Sequence, residues 1–444
     1  MTVRQGVLAA SLLILTACAR AYAGDATTFR GDSAHTGVYQ GTGVTQFAGV
    51  KWKFHTHGYV NSSPALSNGV VYVGSADGYV YAVSADTGTL RWKFATGSRV
   101  VSSPTVANGA VYLLSYDSHF YALDAASGKV RWKFKTAGEH RFEAPHLHGT
   151  LPVDEMMPDP FDMYLSSPVV TGGLVYFGSS DGNIYALDAT SGTLSWKFKT
   201  GNVVHASPAV ADGTLYVGSW DSYFYALDAK SGKVRWRFKT GEDPVIHNQV
   251  GIQSSASVGS GMVYFGCRDS HLYALDAATG ALRWSIPTHG SWVISSPAID
   301  DGQLYFATSD SGLFYSVDAR SGKVGFSLDF KQWPMFSSPA IAGRMAYIGS
   351  HTGKLIAIDV DRGAVAWTFR TDGEKKNGAT YTNADGTPNY DVAYPGGFYD
   401  DLIVGFSRLM TVGAVISSPV VDGDSIYFGS TDGDLYALHV KPGG

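Results

Sequence analysis

His146-Leu147-His148 sets two imidazoles two residues apart, and Asp159 and Asp162 follow closely. Held in an extended loop, such imidazoles with carboxylates beside them make a nitrogen–oxygen site for a metal cation. His146, His148, Asp159 and Asp162 are therefore the candidate metal ligands. No standard metal-binding spacing is matched, and solvated loop histidines are the alternative. A second group comprises Trp220-Asp221, Cys267-Arg268-Asp269 and Trp292. An indole at a funnel mouth can stack on a planar ligand. This makes Trp220, Arg268, Asp269 and Trp292 candidate cofactor-binding residues. For the tryptophans, filling a central channel is the competing reading. No nucleophile–base set can be read from spacing alone, so the catalytic residues stay open.

The elements that must position these groups are repeated. A Ser-Ser-Pro element recurs with its third residue at Pro64, Pro104, Pro168, Pro208, Ala256, Pro297, Pro339 and Pro419. The period is near 40 residues, with three enlarged intervals, the pattern of a repeat fold carrying loop insertions. Each repeat holds four short apolar or alternating runs between turns. Asn68-Gly69, Asn108-Gly109, Asp212-Gly213, Asp301-Gly302 and Asp422-Gly423 supply the positive φ angles of a type I′ hairpin. Four antiparallel strands per unit, repeated radially, predict an all-β, eight-bladed propeller. Helical signals are nearly absent, because no stretch of the mature chain keeps apolar residues at 3.6 spacing without a glycine interruption.

The eighth repeat stops before its fourth strand, whereas a spare one, Lys51-Trp52-Lys53-Phe54, precedes the first repeat. The N-terminal strand is therefore expected to close the ring. The fourth-strand aromatics Trp52, Trp92, Trp132, Trp196, Trp236, Trp284, Phe326 and Trp367 read as docking residues between blades. Trp220, Trp292 and Trp333 are off that register.

The enlarged intervals all fall between strand four of one blade and strand one of the next, at residues 137–165, 241–253 and 372–414. They are expected on one face, where function tends to sit on loops. Together they carry a formal charge of −10, against −5 for the 444-residue chain. An acidic face suits a metal cation or a cationic partner; solubility is the other explanation. The overall balance gives no support for nucleic-acid binding.

Arg4, the apolar run Gly6 to Ala17 and Ala21-Tyr22-Ala23 read as an export signal over residues 1–23, leaving 24–444 as one propeller. Leu15-Thr16-Ala17-Cys18 equally fits a lipoprotein signal in which Cys18 is lipidated. Periplasm, cell surface or outer-membrane anchorage are the expected locations, with membrane contact only through Cys18. The second cysteine, Cys267, is expected to be buried at a strand end.

The repeated Ser-Ser-Pro, Tyr-Val-Gly-Ser-x-Asp-Gly, Tyr-Ala-Leu-Asp and Trp-x-Phe elements resemble PQQ-like propeller repeats over nearly the whole mature chain. The group includes quinoprotein alcohol dehydrogenases and assembly lipoproteins of the BamB type. Phe29-Arg30-Gly31-Asp32-Ser33-Ala34-His35-Thr36-Gly37 resembles the opening of its stand-alone members. The dehydrogenase resemblance implies PQQ and Ca²⁺ as cofactors and oxidoreductase activity. Here the adjacent cysteine pair and the Cys-x-x-Cys-His haem motif are missing, and the calcium ligands find no numbered counterparts. The assembly-lipoprotein resemblance implies a non-catalytic binding or scaffold protein with a protein or peptide partner at the cell envelope.

Overall fold

The computed structural model describes residues 26–41, 43, 46–397, 399 and 401–441. The segment read as an export signal, residues 1–23 with Cys18, lies outside the described residues. Eight four-stranded antiparallel sheets form the ring. In blade four the strands are Ala209–Ala211, Thr214–Gly218, Tyr223–Asp228 and Val234–Lys239. The three inner strands are mostly buried, and their sequences are near-continuous apolar runs. The outer strand alternates between half-buried and exposed positions, as its Val-Arg-Trp-Arg-Phe-Lys pattern requires. Four of the five expected type I′ turns are present, with positive φ at both central residues, as in Asn68 (49°) and Gly69 (72°). The fifth is shifted by one residue. Asp422 ends its strand, so Gly423 with φ 56° opens the turn.

Three hydrogen-bond systems hold the blades together. Six fourth-strand tryptophans donate from Nε1 to an alanine carbonyl of the next blade at 2.9–3.1 Å, from Trp52 to Ala85 round to Trp284 to Ala319. Each indole lies against the glycine of the next blade's Ser/Thr-Gly turn. A Cβ at Gly232, for example, would sit 2.6 Å from the Trp196 ring, and φ there is +69°. Both the space and the conformation require glycine. Second, an aspartate beyond strand two latches six blades. Asp221, for instance, accepts from Gly201 N–H and from the Tyr225 hydroxyl, both at 2.7 Å. Third, the second serine of each repeat donates its backbone N–H to the serine hydroxyl of the next blade. The eight bonds run from Ser63 through Ser103, Ser167, Ser207, Ser255, Ser296, Ser338 and Ser418 back to Ser63, at 2.8–3.1 Å. This loop of bonds around the axis explains the recurring Ser-Ser and fixes the count at eight.

Closure follows the expected route. Strand Gln46–His55 pairs antiparallel with Asp434–Lys441, placing Trp52 opposite Ala437. The segment ahead of it builds no blade, although the sequence reading counts it within the propeller. Instead it runs across one end of the channel and gives its carbonyls to the innermost strands. Thr27 accepts from Val106, Ser33 from Val210, Ala34 from Val258, Thr36 from Ile299 and Gly37 from Ile341. Buried Arg30 ties the plug down through Pro297 and Pro339 carbonyls. Phe29 and the serine ring bound the narrow space that remains.

One expectation is corrected. The third insertion is helical in part, with α1 (Asp372–Asn377), α2 (Tyr390–Ala393) and α3 (Leu402–Met410). The interruption that hid α3 is Gly405. A Cβ there would lie 2.1 Å from the Tyr394 ring, so the glycine admits the packing that holds the helix. No helix among the described residues is long and apolar enough to cross a membrane.

Candidate functional site

The three insertions meet. His148 N–H donates to the Ile246 carbonyl at 2.9 Å, linking the first and second. Phe161 packs edge-on against Phe406 of α3 with centroids 5.0 Å apart, linking the first and third. What they cover is set by one repeat position, the residue after the strand-two Ser, Cys or Thr. Blade by blade it is Ala76, Tyr116, Ser180, Trp220, Arg268, Ser309, His351 and Thr431. In blades this similar, only such a variable position can give the channel mouth its own chemistry.

The structure joins most of the two candidate groups into one buried cluster. The Arg268 guanidinium lies between the rings of Trp292, at 3.8 Å, and Trp220, at 4.7 Å. Its Nη1 donates to Asp159. Asp159 also takes His148 Nε2 at 3.1 Å and Phe161 N–H at 2.8 Å. Burial alone would raise the Asp159 carboxyl. The charge of Arg268 and the His148 contacts outweigh it and hold the group below the ordinary carboxylate range. Trp220 stacks on Phe142 at 4.4 Å.

The remaining candidates stand apart. Asp269 belongs to its blade, where it is the latch for Gly241 and Tyr273. His146 Nδ1 is 2.7 Å from the Thr150 carbonyl. Asp162 accepts from Phe142 N–H at 2.7 Å and pairs with His205. Among the described residues no three His, Cys, Asp or Glu side chains converge to hold a metal ion. Asp159 and Asp162, counted in the sequence as surface charge, are fully buried. Cys267 is buried at the end of its strand, and burial raises its thiol pKa.

Asp162, His205 and Ser180 line up in sequence-distant contact, with His205 Nε2 2.7 Å from Ser180 Oγ. The order is that of a nucleophile, base and orienting carboxylate. However, Ser180 is buried, and its hydroxyl lies 2.9 Å from Glu139 Oε2. The chain is an internal brace between insertion and blade.

The accessible feature is a cavity of about 210 Å³ beside this cluster. Its walls are aromatic: Phe161, Trp292, Trp333, Tyr390, Tyr394 and Phe406, with Tyr399 partly exposed at the edge. Among the described residues Asp310 is the only carboxylate lining it. Beside it, blade six departs from the latch pattern. Thr308 N–H pairs with the carbonyl five residues on, whereas Ser75 pairs four residues on. The extra residue puts Phe314 four positions after Asp310, where other blades have the latch tyrosine. Asp310 keeps accessible surface opening on the cavity, yet burial lifts its carboxyl above the ordinary range.

His351 lines the same cavity, is 3% exposed, and leaves Nε2 without a partner. Burial lowers its pKa to about 3; burial and the charge of Arg30 do the same to His35 in the plug. Both folded values lie below the unfolded one, so the unfolded chain binds protons first as the pH falls. Stability is therefore expected to drop from about pH 6.5 down to about 3, by a few kcal/mol per histidine. Urea midpoints at pH 7 and pH 4.5 measure this, and His351→Phe should remove part of the dependence.

No curated protein matches the chain. Among solved structures, BamB from Moraxella catarrhalis superposes with a TM-score of 0.62 at 15% identity, covering 89% of this chain and 98% of that one. A europium-containing methanol dehydrogenase gives 0.67 at 15%, covering 94% and 98%. The quinohemoprotein alcohol dehydrogenase from Comamonas testosteroni gives 0.68 at 15%, covering 95% and 81%. At these identities the likeness is one of fold. The sequence profile described as "Outer membrane protein assembly factor BamB" matches residues 41–151, 160–369 and 289–413. With the eight-bladed ring, the Ser-Ser-Pro repeats and a matching profile over most of its length, the chain belongs to this family of PQQ-like propellers.

Proposed function

We propose that the chain is a non-catalytic binding propeller of the cell envelope, and that its insertion face captures a cationic group, an ammonium or alkylated ammonium of a protein, peptide or small molecule. The aromatic cavity carries this reading, with Asp310 on its wall held by the Ser309 hydroxyl at 3.1 Å and in no ion pair among the described residues. Aromatic faces attract cations, and quaternary ammonium groups are held in such boxes. A guest cation would supply the charge partner that Asp310 lacks. Acidic residues around the mouth would steer it there, though several insertion acids are internally paired and do not add to that field. The BamB relationship supports an envelope location and an assembly role.

The dehydrogenase neighbours suggest a quinone with a metal ion as an alternative. The candidate ligands do not fit that pair, because Asp159 and Asp162 already give their oxygens to Arg268, His148, His205 and backbone N–H groups. No step through such a cofactor is derived.

Choline and its uncharged isostere 3,3-dimethylbutanol test the binding reading, with quenching of tryptophan fluorescence as the readout. Choline is expected to bind about tenfold more tightly, and Asp310→Asn to remove that preference. Equal binding of the two, or none, refutes it. Titration with PQQ and Ca²⁺ is the control for the alternative.

A further inference from the structure

A second cavity, of about 280 Å³, lies on the other side of Phe406, between α3 and the mouths of blades one and two. Its chemistry is the opposite of the first. Arg99 and Arg141 both line it, and neither has a carboxylate within ion-pair reach among the described residues. Eight other arginines, such as Arg131 with Asp124 and Arg283 with Asp276, are paired. The Arg99 guanidinium lies over the Tyr116 ring, 3.9 Å from its centroid, and Arg141 Nε is buried without a partner. Asn61 lines the same space, is 8% exposed, and its amide oxygen has no partner.

The fold does not require these groups. The carbonyl of Arg99 accepts the N–H of Tyr116, a bond that Tyr59, Val203, Trp292, Pro334 and Ala414 make in other blades. Any residue type serves there. Arg141 comes from an insertion. The carboxylates of this region, buried Asp162 and half-buried Glu139, are committed to His205, Ser180, Ser179 and backbone N–H groups. Two guanidinium groups facing one cavity repel each other, and an anion between them would offset that repulsion through charge-assisted hydrogen bonds. Away from the arginines the wall includes the aliphatic Val101, Met163, Ile403 and Met410, beside the rings of Tyr59 and Phe406. Thioether side chains adapt to unbranched guests.

We propose that this cavity is a binding site for a small amphiphilic anion, a carboxylate or phosphate on an aliphatic body. The head group lies between Arg99 and Arg141, and the chain lies against the methionines. Arginine forks suit both oxyanions.

The test is calorimetric titration of the purified protein with octanoate, octanamide and octyl phosphate. Octanoate is expected to bind at least about tenfold more tightly than octanamide and to weaken severalfold as salt rises from about 0.05 to 0.5 M. The preference of octyl phosphate over octanoate, or the reverse, identifies the natural head group. Arg99→Gln with Arg141→Gln should erase the charge preference without moving the ligand-free melting temperature by more than a few degrees. Should that double variant not fold, Arg99→Gln alone carries the test, with a severalfold loss expected. Equal affinity for octanoate and octanamide, binding of neither anion, or octanoate binding unchanged in the variant overturns the proposal. Because these probes are anionic, failure here is distinct from failure of the choline experiment.

Discussion

A chain that begins at residue 57 is expected to lose the cooperative folding of the whole ring. The missing residues contribute at three places at once. Strand Gln46–His55 leaves, so Asp434–Lys441 becomes an open edge of eight residues, the kind of edge that templates aggregation. Trp52 leaves, and with it the bond to Ala85, the cover over Gly88 and the packing on Tyr427 at 5.8 Å. Truncating a buried tryptophan costs about 3–5 kcal/mol by itself. The plug also leaves, which strips partners from innermost-strand N–H groups in at least five blades. In a closed ring each blade has two neighbours, so the loss reaches both flanking blades through the serine bonds. Size-exclusion chromatography and a circular-dichroism melt measure the result. The expected product is aggregated or melts broadly at much lower temperature; Trp52→Ala in the full chain should melt cooperatively but be destabilised by about the amount above. A truncated chain that melts like the full one would show that the ring does not depend on its closing strand.

The ring was legible because it is repeated. A serine, a tryptophan or an Asn-Gly turn appearing at one position in blade after blade announces a shared structural duty. The hydrogen bonds confirm that duty for Ser63 through Ser418 and for the docking tryptophans. The plug was visible only as a family-like opening phrase, since the backbone bonds of Thr27, Ser33 and Gly37 leave no side-chain signal. The site was legible in part. Off-register tryptophans and the Cys267-Arg268-Asp269 turn pointed to what the structure places at the channel mouth, yet sequence could not separate Arg268, which faces the mouth, from Asp269, which faces the blade. Alignment of the turns would have done so, since Asp269 repeats Asp77, Asp117 and Asp221. The same alignment shows the extra residue before Phe314 that frees Asp310. Reading departures from the repeat, rather than rare residue types, would have found both Asp310 and His351. The pairing of Asp159 with Arg268, 109 residues apart, carries no local pattern, and formal charge counting treated it as open surface.

That pair is the site of the second large effect. Arg268→Ala is expected to destabilise the protein by about 3–5 kcal/mol, the range for removing one partner of a buried ion pair. The cost arises mainly from what remains. Asp159 is completely buried, and without Arg268 only His148 and the Phe161 N–H still stabilise its charge. The two indoles also lose the cation between them, a contact worth up to about 2 kcal/mol when desolvated. Asp159→Asn alone should be less severe, because a neutral amide can keep the Phe161 bond, but it leaves the guanidinium uncompensated. Arg268→Met with Asp159→Asn should recover part of the loss, since a thioether fits between aromatic rings and no buried charge is left. Urea denaturation of the unaltered protein, Arg268→Met, Asp159→Asn and the double variant completes a double-mutant cycle. A coupling energy above about 1.5 kcal/mol is expected for such a close, buried charge pair. Additive single effects would mean that Arg268 is held chiefly by its tryptophans and that Asp159 serves His148 instead. Choline binding in the double variant then separates structure from recognition. Unchanged affinity would place the Arg268 cluster as the floor on which the aromatic cavity rests, whereas lost affinity with retained folding would make the set of Trp292 by Arg268 part of the recognition itself.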